Sequence, residues 1–238
     1  MHSLISIVGP TASGKTALGE ALANRFNGEI VSADAKQVYR GMDIGTAKAL
    51  NLSVPQHLID IKNPGEVITV AEYQALAYAA IDEMVKRGKL PILVGGSMLY
   101  VQAVVDGYRF ADKKNVPRYR SLTLGIIWER AALQERVKLR LEERLEAGLI
   151  TEVEGLLKQG VDPSFLIRCG IEYRYITLYV QGQLTFEEMK RQIEIASNQY
   201  IKRQYTWWRH HGDVRWVTGE DEGAALVEAF LESSDVIY

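Results

Sequence analysis

Gly9-Pro10-Thr11-Ala12-Ser13-Gly14-Lys15-Thr16 is the stretch from which the rest of this chain is read. It fits the pattern G-x-x-x-x-G-K-[ST] without a mismatch. A short apolar run, Leu4-Ile5-Ser6-Ile7-Val8, precedes it, and Leu18, Ala21, Leu22 and Phe26 follow at helical spacing. Strand, glycine loop and helix in that order make a phosphate cradle. The glycines let the backbone wrap round an anion, and the loop N–H groups and the helix N-terminus point at its oxygens. All eight residues are assigned to phosphate or diphosphate binding, with Lys15 adding a point charge and the Thr16 hydroxyl in reach of a bound Mg²⁺. A glycine turn that merely precedes a helix would not account for the lysine and the threonine together.

The 238 residues are 47% hydrophobic and 24% charged, enough for one large globular domain or a domain with an appendage. A single cysteine, Cys169, cannot form an internal disulfide, which points to a reducing compartment. The cradle begins at residue 9, which leaves no room for a signal peptide, and no segment is apolar for long enough to span a membrane. A cytoplasmic protein without membrane contact is expected. Net charge is −2, which alone argues against a nucleic-acid partner, but residues 112–217 carry eighteen bases against fourteen acids, and residues 218–238 carry six acids and no base. The basic excess in the later chain is where a polyanion would be drawn, or it is a solvated helical face.

Outward from the cradle, residues 29–34 read as a second parallel strand ending at Asp34, which places that carboxylate beside the phosphate loop. Residues 35–68, with Gly41, Gly45, Pro55, Pro64 and Gly65 and no sustained period, read as a long functional loop. Residues 69–87 form a helix opened by a Thr69/Glu72 capping box. Residues 90–94 are a buried strand, and residues 97–105 a helix after Gly95-Gly96-Ser97. Residues 122–127 are another strand. Beyond Glu129 the pattern is helical, with Leu133, Val137, Leu141 and Leu145 every four residues, a long helix over 185–209, a last strand at 214–217 and a closing helix over 221–231. There are no repeats. The alternation predicts an α/β fold, a P-loop parallel sheet flanked by helices, over residues 1–127, with a mostly helical region, 128–238, packing back on it.

Asp34, at a strand end beside the cradle, suits a metal ligand or general base, and equally a turn cap. Arg40 and Lys48 in the long loop would screen a second phosphate or be surface charge. Gly95-Gly96-Ser97 is a second anion or substrate loop, or a plain strand-to-helix turn. Residues 200–209 interleave Lys202, Arg203 and Arg209 with Tyr200, Tyr205, Trp207 and Trp208, a mixture that suits nucleic-acid backbone and base stacking, unless the tryptophans anchor the core.

These residues together resemble the tRNA dimethylallyltransferases (the isopentenyltransferase, or IPP transferase, family), which move the prenyl group of dimethylallyl diphosphate onto N6 of the adenosine 3′-adjacent to the anticodon. The matching stretches run in order: the cradle; Ser32-Ala33-Asp34 through Gln37-Val38-Tyr39; Asp43-Ile44-Gly45-Thr46-Ala47-Lys48; His57-Leu58-Ile59-Asp60 with Val94-Gly95-Gly96 and Leu99-Tyr100; and Lys202-Arg203-Gln204 with Thr206-Trp207 and Arg209. A nucleotide kinase, which would transfer phosphate from ATP, shares only the first. The resemblance implies that Lys15 and Thr16 hold the diphosphate and its Mg²⁺, that Asp34 is the base for the amine, and that Arg168 acts near the diphosphate. It further implies that Asp34, Ala35, Lys36, Gln37, Ser97, Lys202, Arg203, Gln204 and Arg209 contact the anticodon loop of tRNA. The spacing from Arg168 to Tyr173 is one residue longer than the family's usual one, Ser97 stands where threonine is usual, and Lys36 and Met98 also differ.

Family members usually carry a helical, arginine-rich insertion that grips the anticodon stem. Here only residues 108–120 fill that place, a reduced remnant whose Lys113, Lys114, Arg118 and Arg120 would form a smaller grip. The related adenylate dimethylallyltransferases, acting on AMP or a similar nucleotide, also lack that domain and form the alternative reading. A non-catalytic P-loop RNA-binding module is a third. The expected working unit is a monomer.

Overall fold

The computed structural model describes residues 1–111 and 114–233. The chain alternates strand and helix from its start: β1 (Ser3–Val8), α1 (Lys15–Arg25), β2 (Gly28–Ser32), β3 (Gln56–His57), α2 (Val70–Lys86), β4 (Leu90–Val94) and α3 (Met98–Val105). A small hairpin, β5 (Tyr108–Arg109) with β6 (Lys114–Asn115), leads into β7 (Arg120–Ile126). Five helices follow, α4 (Arg130–Glu146), α5 (Leu149–Lys158), α6 (Pro163–Cys169), α7 (Ile171–Val180) and α8 (Phe186–His210). The described chain closes with β8 (Val214–Val217) and α9 (Glu220–Glu232).

One six-stranded sheet, all parallel, runs β3-β2-β4-β1-β7-β8. Its central strands are near-continuous Leu, Ile and Val because both faces are covered. One face packs Leu4, Val31 and Leu93 against Tyr73, Ala77 and Ile81 of α2 and Trp208 of α8. The other packs Ile5, Ile30 and Ile92 against Leu18 and Leu22 of α1 and Ala224 and Val227 of α9. A third core lies among the helices, where Leu141, Val153, Tyr173 and Ile193 enclose Val38, Tyr39 and Met42 of the long loop. That loop is therefore walled in by the helical region, and β8 and α9 return the chain to the sheet.

Local chemistry sets the helix starts. Thr69 accepts the Glu72 N–H as a cap, but the box is not closed, because the Glu72 carboxylate pairs with Lys62 at 2.8 Å instead. The complete capping box is at α8, where Thr185 accepts the Glu188 N–H and the Glu188 carboxylate accepts the Thr185 N–H.

Within residues 35–68, β3 and a single Tyr39–Lys62 bridge are the regular pairing. The loop is held by a lysine. The Lys48 side chain has no exposed surface, and its ammonium donates to Tyr39 O, Asp43 Oδ1 and Asp60 Oδ1, each at 2.6 Å. Lys48 is thus an internal tie, not a phosphate screen, and Arg40 donates to Asn63 Oδ1 on the surface. Arg118 is likewise engaged, pairing with Asp82 and lying 5.0 Å over the Tyr78 ring. Arg120 donates to Phe230 O and stacks on that ring at 3.9 Å. The expected small RNA grip at 108–120 loses these two members to the fold, while Lys114 is exposed and Lys113 lies outside the described residues.

The edge strand β3 is pinned by Glu29, buried on β2, which accepts from Arg87 at 2.5 and 2.8 Å and meets His57 Nε2 at 2.8 Å. The Arg87 guanidinium holds the carboxyl down to about 2. A depressed carboxylate stabilises the fold above its unfolded range and loses that contribution as pH falls towards 2. Glu29→Ala should cost roughly 2–3 kcal/mol at pH 7, and the gap from the unaltered protein in urea melts should narrow at pH 3.

Candidate active site

The carboxyl ends of β1, β2 and β4 meet over one cavity of about 660 Å³. From β1 comes the phosphate loop. Gly14 caps α1 with φ 90°, a left-handed conformation that glycine adopts without cost. From β2 comes Asp34, whose Oδ1 accepts the Lys36 N–H at 2.8 Å, as in a turn cap. Its other oxygen has no protein partner among the described residues, so capping and chemistry are compatible in one side chain. From β4 comes Gly95-Gly96-Ser97. A Cβ on Gly95 would lie 2.0 Å from the Ala33 carbonyl oxygen, so the two strand ends can approach only with glycine there. Ser97 Oγ then accepts the Ala35 N–H at 2.8 Å, fixing the backbone beside Asp34.

The helices close the other side. Arg136, Arg140 and Arg144 stand four residues apart on α4, one face of the helix, and all line the cavity. Arg136 donates to Ala12 O at 2.9 Å and lies 4.4 Å over the Trp128 ring, whose Nε1 donates to Ser13 O at 2.9 Å. Arg144 pairs with Glu172 at 2.5 Å. Arg140 has no hydrogen bond or ion pair among the described residues. Loss of water lowers it to about 10, with Arg144 adding to the shift. Lys15, which donates to Pro10 O at 2.7 Å, is lowered to about 8, first by loss of water and then by Arg140, against the pull of Asp34. Two half-buried cations lowered in part by each other's neighbourhood, with Asp34, Glu143 and Glu172 as the carboxylates of the same cavity, make a lining suited to an anion at the cationic end.

Of the residues expected from sequence, Thr11–Thr16, Asp34, Lys36, Gln37, Ser97, Arg168, Arg203 and Gln204 line this cavity. Gly9 and Pro10 do not; they shape the loop's entry, where Pro10 O receives both Lys15 Nζ–H and Ser13 N–H. Ala35 serves through its backbone, and Lys202 and Arg209 lie exposed on α8 outside the wall. Gln37 is fully engaged, accepting from Ser32 Oγ and donating to the Thr46 and Ala47 carbonyls. Gln204 is 1% exposed, and its amide accepts the Thr11 N–H at 2.9 Å and donates to Gly96 O at 3.2 Å, so it braces the wall that it lines. Trp208 is a core residue, while Trp207 stacks on His211. Sequence reasoning missed Trp128 and the arginine ladder, although the i, i+4, i+8 arginines beside the leucine stripe of α4 were a visible signal.

The fold is that of a P-loop-like α/β protein, a parallel sheet flanked by helices. The family profile described as IPP transferase matches residues 37–118 and 109–211, two stretches that meet at the hairpin. A tRNA dimethylallyltransferase of Shewanella sediminis is 37% identical over 284 positions, covering 92% of this chain and 94% of that protein. That span exceeds the 238 residues here, so the relative has segments this chain lacks. Among solved structures, a full-length tRNA isopentenylpyrophosphate transferase from Bacillus halodurans is 32% identical with a TM-score of 0.87, covering 98% of this chain and 96% of that one. The corresponding Staphylococcus epidermidis transferase is 28% identical with a TM-score of 0.88, covering 98% of this chain and all of its own. The chain belongs to the tRNA dimethylallyltransferase (IPP transferase) family.

Loss of water lowers Lys15 to about 8, and a bound anion would restore its proton. Affinity for inorganic diphosphate should be flat below that pH and fall towards about tenfold per unit above it. Titration calorimetry from pH 7 to 10 checks this, with Lys15→Met reporting the ligand's own ionisation.

Proposed function

We propose that the cavity seats dimethylallyl diphosphate on the phosphate loop and an adenosine of the tRNA anticodon loop beside Asp34, and joins the two at N6. The observation that carries this is the cavity's division: Lys15, Arg140 and the first-turn N–H groups of α1 on one side, an Asp34 oxygen free of protein partners on the other. The prenyl chemistry follows from family membership. The tRNA acceptor is supported by the names of the relatives and by the exposed cations Lys202, Arg203 and Arg209 on α8.

The adenine amine is a weak nucleophile because its lone pair is delocalised into the ring. In this reading it attacks the allylic carbon as Asp34 takes an N6 proton, and the carbon–oxygen bond breaks with its electrons passing to the diphosphate. Lys15, Arg140, the loop N–H groups and, from the end of α6, Arg168 receive that charge. The Thr16 hydroxyl is the side chain placed to hold Mg²⁺. No cluster of three or more His, Cys, Asp or Glu suited to a metal exists among the described residues, so most ligands would be diphosphate oxygens and water, which fits that ion. When bound, Mg²⁺ supplies further neutralisation of the leaving group. Lys36, Gln37 and Ser97 wall the acceptor side, where a loop base is extruded without breaking a duplex. The working unit in this reading is a monomer. No helix among the described residues is long and apolar enough to cross a membrane, consistent with action on tRNA in the cytoplasm.

A paired acceptor assay tests the reading, with labelled dimethylallyl diphosphate and Mg²⁺ offered to unmodified tRNA and, separately, to AMP. Label should enter tRNA alone; label in AMP alone would assign the protein to nucleotide prenylation. Asp34→Ala should lower turnover by roughly two to four orders of magnitude while tRNA affinity holds, and near-normal turnover would remove Asp34 from the chemistry. Neutralising Lys202 and Arg203 together should weaken tRNA binding and reduce its salt slope by about two, read from filter binding at several salt concentrations. An unchanged slope would give these residues a packing role.

A further inference from the structure

Gln204 is buried, yet it sits between the two halves of the site. Its amide oxygen accepts the Thr11 N–H of the phosphate loop at 2.9 Å, and its amide nitrogen donates to Gly96 O at 3.2 Å. The next residue along, Ser97, holds the Ala35 N–H at 2.8 Å, and Ala35 follows Asp34. A Cβ on Gly96 would stand 2.8 Å from the Gln204 amide nitrogen, so a side chain there would push this amide aside. The side chain that makes the span comes from α8, 193 residues after Thr11.

Only an amide suits both ends, since one backbone group donates and the other accepts. Leucine or methionine would leave the Thr11 N–H unpaired and the Gly96 carbonyl with only the Tyr200 hydroxyl at 3.5 Å. A carboxylate would keep the Thr11 bond and face the Gly96 oxygen with like charge.

We propose that Gln204 is a positioning residue that locks the phosphate loop to the turn orienting Asp34, so that donor and acceptor sites keep a fixed separation. It touches neither substrate and acts through Thr11 and Gly96. The proposal rests on the diphosphate reading of the cavity. Binding of inorganic diphosphate by the unaltered protein tests that reading, and the variants test the tie.

The experiment omits RNA from its first measurement. Diphosphate with Mg²⁺ is titrated into the unaltered protein, Gln204→Met and Gln204→Glu, each with its thermal melting curve. Diphosphate affinity should fall about tenfold in Gln204→Met, with kcat lowered and KM for tRNA within twofold of normal. In Gln204→Glu the loss should shrink between pH 8 and pH 5.5 relative to the unaltered protein, because a protonated carboxyl donates to Gly96 O again. Should Gln204→Met fail to fold, the pH-dependent recovery of the isosteric Gln204→Glu decides alone. Normal diphosphate affinity in a folded variant, with a raised KM for tRNA, would overturn the proposal and return Gln204 to the RNA. A Gln204→Glu defect that does not respond to pH would overturn it too.

Discussion

Three successive residues of the phosphate loop each surrender one backbone group to a side chain from the far half of the chain. Thr11 N–H is taken by Gln204, Ala12 O by Arg136 and Ser13 O by Trp128. A loop that must expose N–H groups to an anion cannot satisfy itself internally, and left alone it would relax. Ala12 shows the tension, held at φ 65° where a non-glycine residue is disfavoured. The downstream side chains fix the first half of the loop. Gly14, Lys15 and Thr16, at the start of α1, keep their backbone N–H groups towards the cavity that the whole stretch 11–16 lines. The loop is therefore encoded in residues 9–16 but braced by the helical region.

Electrostatics follow from the same geometry. Lys15 and Arg140 lie close together with too little water, and both are shifted towards losing a proton. Such an arrangement is costly when empty and is relieved by a multiply charged ligand. Arg144 is different, because Glu172 neutralises it, and so it supports the ladder rather than competing for the ligand. Asp34, one of whose oxygens has no protein partner among the described residues, stands at the end of β2, across from the loop that follows β1, where parallel strands open a crevice.

What could be read from sequence was local. The cradle, the strand ends that place Asp34 and Ser97, and the helix starts are written in short-range chemistry, and the structure puts them where that chemistry requires. What could not be read was whether a polar side chain is spent inside the protein. Lys48, Arg118, Arg120 and Gln204 look like ligand-facing groups in a string of letters. Their partners lie 5–12, 36, 110 and 108–193 residues away, separations no periodicity reports. The same blindness hid Trp128, an aromatic near a strand end that holds the phosphate loop by one N–H.

The short hairpin between α3 and β7 bears on how this protein can meet a large acceptor. The family profile breaks there, and relatives carry more chain than this one. The arginines that follow the hairpin are already engaged, Arg118 with Asp82 on the surface and Arg120 with the end of α9. Cations facing outward are found instead on α8 and at the cavity's mouth, at Lys36, Arg168, Lys202, Arg203 and Arg209. Attraction to phosphate is strongest within about 10 Å of the charge at ordinary salt. An acceptor drawn by these groups is drawn to the mouth itself. Its recognition then depends on the few nucleotides that enter, and on the rigid wall that Gln204 and the Gly95-Gly96 approach provide for them.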